Sequence, residues 1–140
     1  MELADILLIA FDSPSGIPYT SIDFESRMAK GEIAASISEA TTLQLEFKYL
    51  TFCTKDPKYW NAAQKIMKVV FRNNAPEGLV PLFISPQSGA FTATEIRLGS
   101  RADSYYEYLA KNWLITNQTE MKYKLEWEKS VAGIIHYYLS

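Results

Sequence analysis

Asp103 is a residue whose type and position could carry acid–base chemistry, because it stands where a long loop enters a predicted helix. One interpretation is structural, since Asp is preferred at helix N-caps, where its side chain accepts hydrogen bonds from first-turn amides. The other is a carboxylate that projects into a cavity shared with other segments. Glu107 lies one turn later, but side chains at i and i+4 point the same way, whereas hydrolysis by two carboxyl groups needs them on opposite sides of the substrate. An acidic partner for Asp103 must therefore come from another segment.

Two further residues could contact a polar ligand. Arg101 precedes Asp103 by two residues; it stabilises the loop or pairs with an acid, and its planar fork also suits carboxylates or hydroxyl-rich ligands. Glu39 follows Ser36 by three residues, a spacing that favours a capping box. The alternative for Glu39 is an acidic side chain that lines a cavity.

His136 and Cys53 are predicted to be structural. His136 lies within the last predicted helix, without a Cys, His or carboxylate at metal-ligand spacing. Cys53 lies on a predicted helix with no histidine nearby in sequence, so we expect an inert, semi-buried thiol rather than a nucleophile. Because it is the single cysteine, an internal disulfide and a multi-cysteine zinc site are excluded. The sequence predicts no metal-binding residue.

The composition excludes several classes of function. The 140 residues are 48% hydrophobic and 21% charged, which is typical of a globular chain and excludes disorder. Lys and Arg number 14 against 16 Asp and Glu, for a net charge of −2, so no basic excess is available to neutralise nucleic-acid phosphates. The longest apolar run, residues 6–11, is far shorter than the roughly 20 residues that span a bilayer. The acidic first residues do not resemble a signal peptide.

Helices joined by turn-rich loops must position the candidate residues. Apolar residues recur at spacings of three and four in several stretches, which is the periodicity of amphipathic helices. The second and third helices form a predicted αα-hairpin, with Asp56 as N-cap and Pro57 at the first helical position of the third. In the last helix, one face carries Met121, Leu125, Ala132, Ile135 and Leu139 in register. The predicted helices cover residues 2–10, 36–54, 56–72, 103–116 and 119–139.

The loops between these helices are long. Residues 12–18 contain two prolines and a glycine, which interrupt regular structure. Residues 19–35 are predicted to be a loop with short extended pieces. Residues 79–84 and 91–98 flank a turn and predict a β-hairpin carried on the loop.

Helix hairpins joined by long loops suit a stack or ring of αα units, each of which needs neighbours to cover its apolar face. The first helix is cut short and the last has no visible partner. We therefore expect the chain to be part of a larger fold. Residues 117–119, Asn-Gln-Thr, form an N-glycosylation sequon in a loop, which is usable only in a secretory lumen.

Three stretches carry recognisable motifs. Residues 10–19 read AFDSPSGIPY, similar to the pattern AF-x-(S/T)-P-(S/T)-GIPY. Residues 38–47 read SEATTLQLEF, close to AE-x-x-(T/S)-(L/I)-QLEF. The third and strongest stretch runs from GLVP at residues 78–81 to LGSRADSYYEYL at residues 98–109. In order and spacing the three together resemble glycoside hydrolase family 47, the class I α-1,2-mannosidases.

The resemblance implies an all-α fold: a fragment of an (αα)7 barrel, with helix hairpins, long loops and a small β-hairpin. Residues 1–140 would be part of a single catalytic domain, incomplete at both ends. The implied enzyme is an inverting hydrolase that removes α-1,2-linked mannose from high-mannose N-glycans. By resemblance, Asp103 matches a catalytic carboxylate, Arg101 a position that contacts the glycan, and Glu39 an acidic residue that lines the cavity. Calcium is implied as cofactor, with its protein ligand outside this chain.

Arg101 also indicates a subtype. The sequence SRADSYY at residues 100–106 resembles the endoplasmic-reticulum type, whereas Golgi relatives tend to carry an apolar residue at the Arg101 position. The implied location is the endoplasmic-reticulum lumen or the secretory pathway, with a membrane anchor possible only N-terminal to this chain. Ile9 replaces a usual Pro and Ser38 a usual Ala, and we expect neither change to touch the chemistry.

The chain departs from the family chiefly in length. The family barrel is several times longer; its proton-donating Glu lies upstream of the part represented here, and further carboxylates and a calcium-binding Thr lie downstream. This chain alone is therefore expected to be inactive. The alternative function is a catalytically silent glycan-binding protein, or a truncated product without independent activity.

Overall fold

The computed structural model describes residues 2–31 and 33–139; residue 32 of the predicted loop and both ends of the predicted domain lie outside the described residues. In this part of the chain helices dominate, and four short strands form two antiparallel pairs. The helices are α1 (Glu2–Leu7), α2 (Ile37–Thr41), α3 (Gln44–Thr54), α4 (Lys58–Arg72), α5 (Asp103–Ile115) and α6 (Met121–Tyr138), with 3-10 turns at Leu8–Phe11 and Pro76–Gly78. The strands are β1 (Ser21–Asp23), β2 (Met28–Lys30), β3 (Ala35–Ser36) and β4 (Phe83–Ile84).

The α3–α4 pair is the predicted αα-hairpin. Helix α3 ends where Lys55 adopts a left-handed φ of 62°. The Asp56 carboxylate then accepts a hydrogen bond from the Lys58 amide at 3.0 Å. The helix begins at Lys58 with Pro57 as its N-cap, so the predicted cap is wrong by one residue, although the Asp56 carboxylate still accepts from a first-turn amide.

The helix predicted over residues 36–54 is divided in two, which corrects the prediction. Two adjacent threonine hydroxyls donate to carbonyls four residues earlier: Thr41 to Ile37 at 2.6 Å and Thr42 to Ser38 at 2.7 Å. Such bonds compete with the helical ladder and bend helices. The chain consequently leaves the helix after Thr41 and re-enters it at Gln44, so α2 is a separate short helix.

The predicted β-hairpin of the long loop is present. Pro81 is bridged to Ile96 and Ile84 to Phe91, both in antiparallel fashion. Strand β4 of this hairpin also pairs with β3, with Ala35 opposite Ile84. The loop is thereby attached to the chain just before α2.

A second hairpin occupies the region predicted to be a loop with extended pieces. Strands β1 and β2 pair in antiparallel register, with Ser21 opposite Lys30 and Asp23 opposite Met28. The Lys30 ammonium lies 2.5 Å from the Asp23 carboxylate across this pair. The extended pieces are therefore one small ribbon, stabilised locally.

The main core lies between α4, α5 and the long loop. On α4, the apolar residues that recur at spacings of four and three are all buried, namely Tyr59, Ala63, Ile66 and Val70. Leu109 of α5 is also fully buried. In a satellite cluster, the rings of Phe47 on α3 and Tyr59 on α4 meet edge to face at 5.9 Å between centroids. The buried residues of the main cluster include Ile17, Ile37, Ile66, Met67, Val70, Leu79, Val80, Leu82, Ile84, Tyr105, Leu109 and Tyr123.

Helix α6 packs through its small residues rather than through its apolar stripe. A Cβ placed on Gly133 would lie 2.5 Å from the Glu77 carbonyl oxygen, and the Ser130 hydroxyl donates to the Gly78 carbonyl at 2.8 Å. These contacts bring α6 close against the 3-10 turn at Pro76–Gly78. The stripe found in the sequence is solvent-exposed instead, with Met121, Leu125, Ile135 and Leu139 between 48% and 76% exposed.

The two residues interpreted as structural lie on helix surfaces. Cys53 is exposed on α3, so the prediction of a semi-buried thiol is wrong. His136 is exposed on α6, where its ring contacts that of Tyr137 at 4.9 Å between centroids. Among residues 2–31 and 33–139, no helix has both the length and the apolar character needed to cross a membrane.

Candidate active site

A tight turn delivers Arg101 and Asp103 to the start of α5. The amides of Ala102 and Asp103 both donate to the Gly99 carbonyl oxygen, at 3.1 and 3.0 Å. Arg101 occupies the left-handed region with φ of 82°. This conformation is unfavourable in free energy for a residue with a Cβ, and it persists only where the surrounding structure holds it. The Arg101 guanidinium carbon lies 4.9 Å from the centroid of the Phe83 ring. The loop and β4 therefore hold a cation beside the head of the helix.

Asp103 is the first residue of α5 and its side chain is exposed. Its Oδ1 atom accepts from the Ser104 amide at 2.8 Å and, more weakly, from the Ser104 hydroxyl at 3.4 Å. The N-cap position belongs to Ala102, so the N-cap interpretation of Asp103 is wrong by one residue. A carboxylate at this position is stabilised by the helix dipole. In the described part of the chain no hydrogen bond uses Oδ2 of Asp103, which leaves that oxygen open to a ligand.

Ser38 joins α2 to this turn. Its amide donates to the Arg101 carbonyl oxygen at 2.9 Å, and its hydroxyl donates to Oδ1 of Asp103 at 3.3 Å. Ser38 was expected to leave the chemistry untouched, and that stays a prediction, although its side chain contacts the candidate carboxylate directly. Ser38, Arg101 and Asp103 are called the open cluster below.

Glu39 follows Ser38 and lies at the edge of a neighbouring cleft. Its amide donates to the Ser36 hydroxyl at 3.2 Å, which is one half of the predicted capping box. The reciprocal bond, from the Ser36 amide to the Glu39 carboxylate, is absent among the described residues. The exposed side chain instead lines a cleft of about 280 Å³ together with Phe11, Tyr19 and other residues of the N-terminal segment. Half of the capping box is thus present, the Glu39 side chain borders this N-terminal cleft, and its contact with a glycan stays a prediction.

Glu107 is occupied elsewhere. Its Oε1 lies 2.6 Å from the Lys111 ammonium, one turn further along α5, and this bond raises the pKa of Lys111. The pair is exposed on the helix surface. Glu107 is therefore not a partner for Asp103, in agreement with the argument from helical spacing.

The side chains present do not by themselves fit a calcium site. Calcium takes six to eight oxygen ligands, many of them carboxylates. Within residues 2–31 and 33–139, no three His, Cys, Asp or Glu side chains are grouped so that they could hold a metal ion. No step of the chemistry below is assigned to calcium.

Comparison with known proteins identifies the family to which this chain belongs. The sequence model for glycosyl hydrolase family 47 matches residues 1–140. The chain belongs to glycosyl hydrolase family 47. The motifs at residues 10–19, 38–47 and 98–109 thus identified the family from sequence.

Relatives in this family are named as mannosidases. A mannosyl-oligosaccharide 1,2-alpha-mannosidase of Candida albicans is 45% identical over 96% of this chain and 24% of its own length. An endoplasmic reticulum mannosyl-oligosaccharide 1,2-alpha-mannosidase of Saccharomyces cerevisiae is 41% identical over 96% of this chain and 26% of its own length. The chain thus spans about a quarter of the length of these curated relatives.

A solved family structure confirms the predicted fold. The alpha-1,2-mannosidase from Trichoderma reesei aligns with a TM-score of 0.89 and 29% identity, over 96% of this chain and 29% of that one. The helix hairpins are accordingly a portion of an (αα)7 barrel. The exposed stripe on α6 fits such a portion, since each αα unit of a ring needs neighbours to cover its apolar faces.

Proposed function

We propose that the family 47 protein to which this chain belongs is an inverting α-1,2-mannosidase that trims high-mannose N-glycans in the secretory pathway, and that residues 1–140 are part of its single catalytic domain. The observation that carries the proposal is the exposed Asp103 carboxylate, whose Oδ2 has no hydrogen-bond partner among the described residues, beside the exposed Arg101 guanidinium. The names of the relatives indicate the substrate class and the endoplasmic reticulum.

Inverting hydrolysis requires two carboxyl groups with different tasks. One protonates the glycosidic oxygen as its bond to the anomeric carbon breaks, and the other takes a proton from a water that attacks that carbon from the opposite face. Asp103 is proposed as one member of this pair. Its Oδ1 is held by the Ser104 amide and the Ser38 hydroxyl, so the carboxylate is fixed in direction while Oδ2 is free for a water or a sugar.

Arg101 and Glu39 are proposed to bind the glycan rather than to transfer protons. A guanidinium presents several N–H donors in a rigid plane, which suits neighbouring sugar hydroxyls. The Phe83 ring beneath it and the left-handed turn restrict where those donors lie. Glu39 offers acceptors at the mouth of the adjoining cleft. Calcium is proposed as a cofactor on the family resemblance alone.

The chain by itself is proposed to be inactive. Asp103 lies close to hydroxyl and amide donors, and the second carboxyl of the pair is expected on another hairpin of the barrel. A few hairpins also leave the site open to water. An α-1,2-mannosidase assay of the isolated chain should therefore give no turnover, and measurable turnover would contradict the need for a second hairpin.

Asp103→Asn in the complete protein tests the assignment. We expect at least a roughly 100-fold loss of turnover on a high-mannose glycan, because loss of a positioned acid–base group typically costs this much or more, with the circular dichroism spectrum unchanged. The matched control is Glu107→Gln, which alters a carboxylate one turn along the same helix and should keep turnover near that of the wild type. Wild-type turnover in Asp103→Asn would overturn the proposal.

The same variants separate the enzyme from a catalytically silent glycan-binding protein. Isothermal titration with an α-1,2-linked mannose disaccharide measures binding independently of hydrolysis. An enzyme gives turnover in the wild type and none in Asp103→Asn, whereas a binding protein gives heat of binding and no turnover in either. The second result would replace hydrolysis by binding as the function.

A further inference from the structure

The turn between α5 and α6 carries a motif that the proposed chemistry does not use. Residues 117–119 read Asn-Gln-Thr, the single Asn-X-Ser/Thr tripeptide of the sequence with X other than Pro. This tripeptide is the acceptor for N-linked glycans in proteins of the secretory lumen. Many such tripeptides occur by chance, so their position in the fold decides whether a glycan can be carried.

The backbone of this turn is well defined. Asn117 and Gln118 both adopt left-handed conformations, with φ of 51° and 62°. Their amides close the end of α5 by donating to the carbonyls of Leu114 and Trp113, at 3.0 and 2.9 Å. Asn is among the few residues with a Cβ that adopt this conformation readily, so Asn117 suits the turn for structural reasons as well.

The acceptor side chain is accessible. Asn117, Gln118 and Thr119 are all exposed, and no hydrogen bond in the described part of the chain involves the Asn117 side-chain amide. Burial of that amide would have ruled out a glycan, because the folded protein must leave room for a large, hydrated oligosaccharide. The α5–α6 turn leaves this room.

The Thr119 hydroxyl bears on when a glycan is added relative to closure of the turn. It donates to the Thr116 carbonyl oxygen at 2.6 Å, so in the folded turn it is already engaged. Transfer to Asn117 while the chain enters the lumen, before the turn closes, would find this hydroxyl unbonded. After folding, the glycan need only remain on the surface.

The turn is far from the open cluster. Asp103 begins α5 and Asn117 follows its end, and a helix of 13 residues is about 20 Å long at 1.5 Å per residue. A glycan on Asn117 therefore stands at the opposite end of the helix from the proposed substrate site and does not obstruct it.

We infer that Asn117 is an N-glycosylation site of this protein. The inference rests on the proposed function, because the motif is used only in the secretory lumen. In the transfer, the Asn117 Nδ2 atom forms a bond to the anomeric carbon of the terminal N-acetylglucosamine of a lipid-diphosphate-linked oligosaccharide. The bond from that carbon to the diphosphate oxygen breaks, its electron pair leaves with the lipid diphosphate, and the amide nitrogen loses one proton.

Peptide mapping of the complete protein, expressed in eukaryotic secretory cells, tests the site. Enzymatic removal of N-glycans converts a glycosylated Asn to Asp, so the peptide that contains residue 117 should be recovered with Asp at that position. Thr119→Ser should keep the modification, and Thr119→Ala should lose it. Asn61→Gln, at an exposed Asn outside any such motif, is the matched control and should leave the residue 117 peptide unchanged.

An unmodified Asn117 in these samples overturns the inference, as does modification that persists in Thr119→Ala. Mannosidase activity of the same samples tests the proposed function separately, and Asn117→Gln should retain it. Unmodified Asn117 in an active enzyme defeats the glycosylation inference alone. Glycosylated Asn117 in a protein that does not hydrolyse high-mannose glycans defeats the proposed activity alone.

Discussion

Two groups of charged side chains differ in their exposure to solvent. In the closed cluster, formed by Lys48, Trp60, Gln64, Glu120 and Tyr123, the lysine side chain is 2% exposed and its ammonium lies 2.8 Å from the Glu120 carboxylate. The ammonium also faces the Trp60 and Tyr123 rings at 4.7 and 4.4 Å from their centroids. In the open cluster, by contrast, Asp103 and Arg101 are exposed.

The two clusters show that one chain uses some charged side chains to stabilise the fold and leaves others accessible to a ligand. The second oxygen of Glu120 accepts from the Gln64 amide at 2.6 Å, so both carboxylate oxygens of the closed cluster are used. Burial lowers the pKa of Lys48, and the bond to Glu120 works against that shift. A cluster whose groups satisfy one another holds α3, α4 and the start of α6 together, whereas a carboxylate with a free oxygen is available to a ligand.

The largest expected effect is on stability in the closed cluster. Lys48→Met should lower the free energy of unfolding by about 3 kcal/mol, because Glu120 loses a charge-assisted hydrogen bond and the two aromatic rings of the closed cluster lose the cation that faces them. Asp103→Asn, in the open cluster, should lower the free energy of unfolding by less than about 1 kcal/mol, because an exposed carboxylate at a helix N-terminus contributes only about 0.3–1 kcal/mol. Urea denaturation followed by tryptophan fluorescence measures both, with the exposed Lys58→Met as control. Equal midpoints for Lys48→Met and the wild type would contradict the structural role.

Two glycines extend the comparison to packing. A methyl group on Gly133 would lie 2.5 Å from a backbone oxygen, whereas one on Gly99, beside the open cluster, would meet its nearest atom at 3.7 Å. Gly133→Ala should therefore destabilise the fold by about 2 kcal/mol, as overpacking does, and Gly99→Ala should be tolerated. Thermal unfolding of both variants measures the difference. A Gly99→Ala variant as unstable as Gly133→Ala would show that the open side is as tightly packed as the α6 contact.

Alkaline pH should destabilise the fold through its buried tyrosines. Burial raises the pKa of Tyr105 and of Tyr123 above the ordinary value of 10.0. Above pH 10 the unfolded chain loses these protons while the folded chain keeps them, so each tyrosine lowers the free energy of unfolding by about 1.4 kcal/mol per pH unit. Lys48 has the opposite sign, since its lowered pKa adds stability as pH rises, and this contribution ends near the ordinary value of 10.5.

Urea denaturation at a series of pH values checks this window. The free energy of unfolding should fall above pH 10. It should fall less steeply for Tyr105→Phe than for the wild type, because the variant lacks one tyrosine with a raised pKa. A slope in Tyr105→Phe equal to that of the wild type would contradict the assignment.

The smallest expected effect concerns Ser38. Its hydroxyl makes a single bond of 3.3 Å to the Asp103 carboxylate, and an exposed bond of this kind contributes about 0.5 kcal/mol. Ser38→Ala in the complete protein should lower kcat of the proposed mannosidase reaction roughly twofold and leave KM and the urea midpoint unchanged. Ser38→Thr, which keeps the hydroxyl, should restore kcat. A change confined to the urea midpoint would assign Ser38 to the fold alone.

Local patterns predicted much of the fold. The apolar spacing in α4 predicted its buried face, and the Asp-Pro pair at residues 56–57 predicted the start of the helix to within one residue. The split between α2 and α3 was missed, because periodicity continues through Thr41 and Thr42 although their hydroxyls bend the backbone. The stripe on α6 shows the limit of periodicity: it reveals an apolar face without revealing which face is covered.

The family, the helical hairpins and the position of Asp103 at the head of a helix could be predicted from the amino-acid sequence, because motifs and helix periodicity extend over a few residues. The folded chain was needed to show that Ser38 contacts Asp103, 65 residues away, and that Lys48 is buried against Glu120, 72 residues away. A lysine on an amphipathic helix is ordinarily solvated, and nothing near it in sequence indicates a distant carboxylate. Exposure and pairing depend on which segments meet, and that is set by the packing of the whole chain.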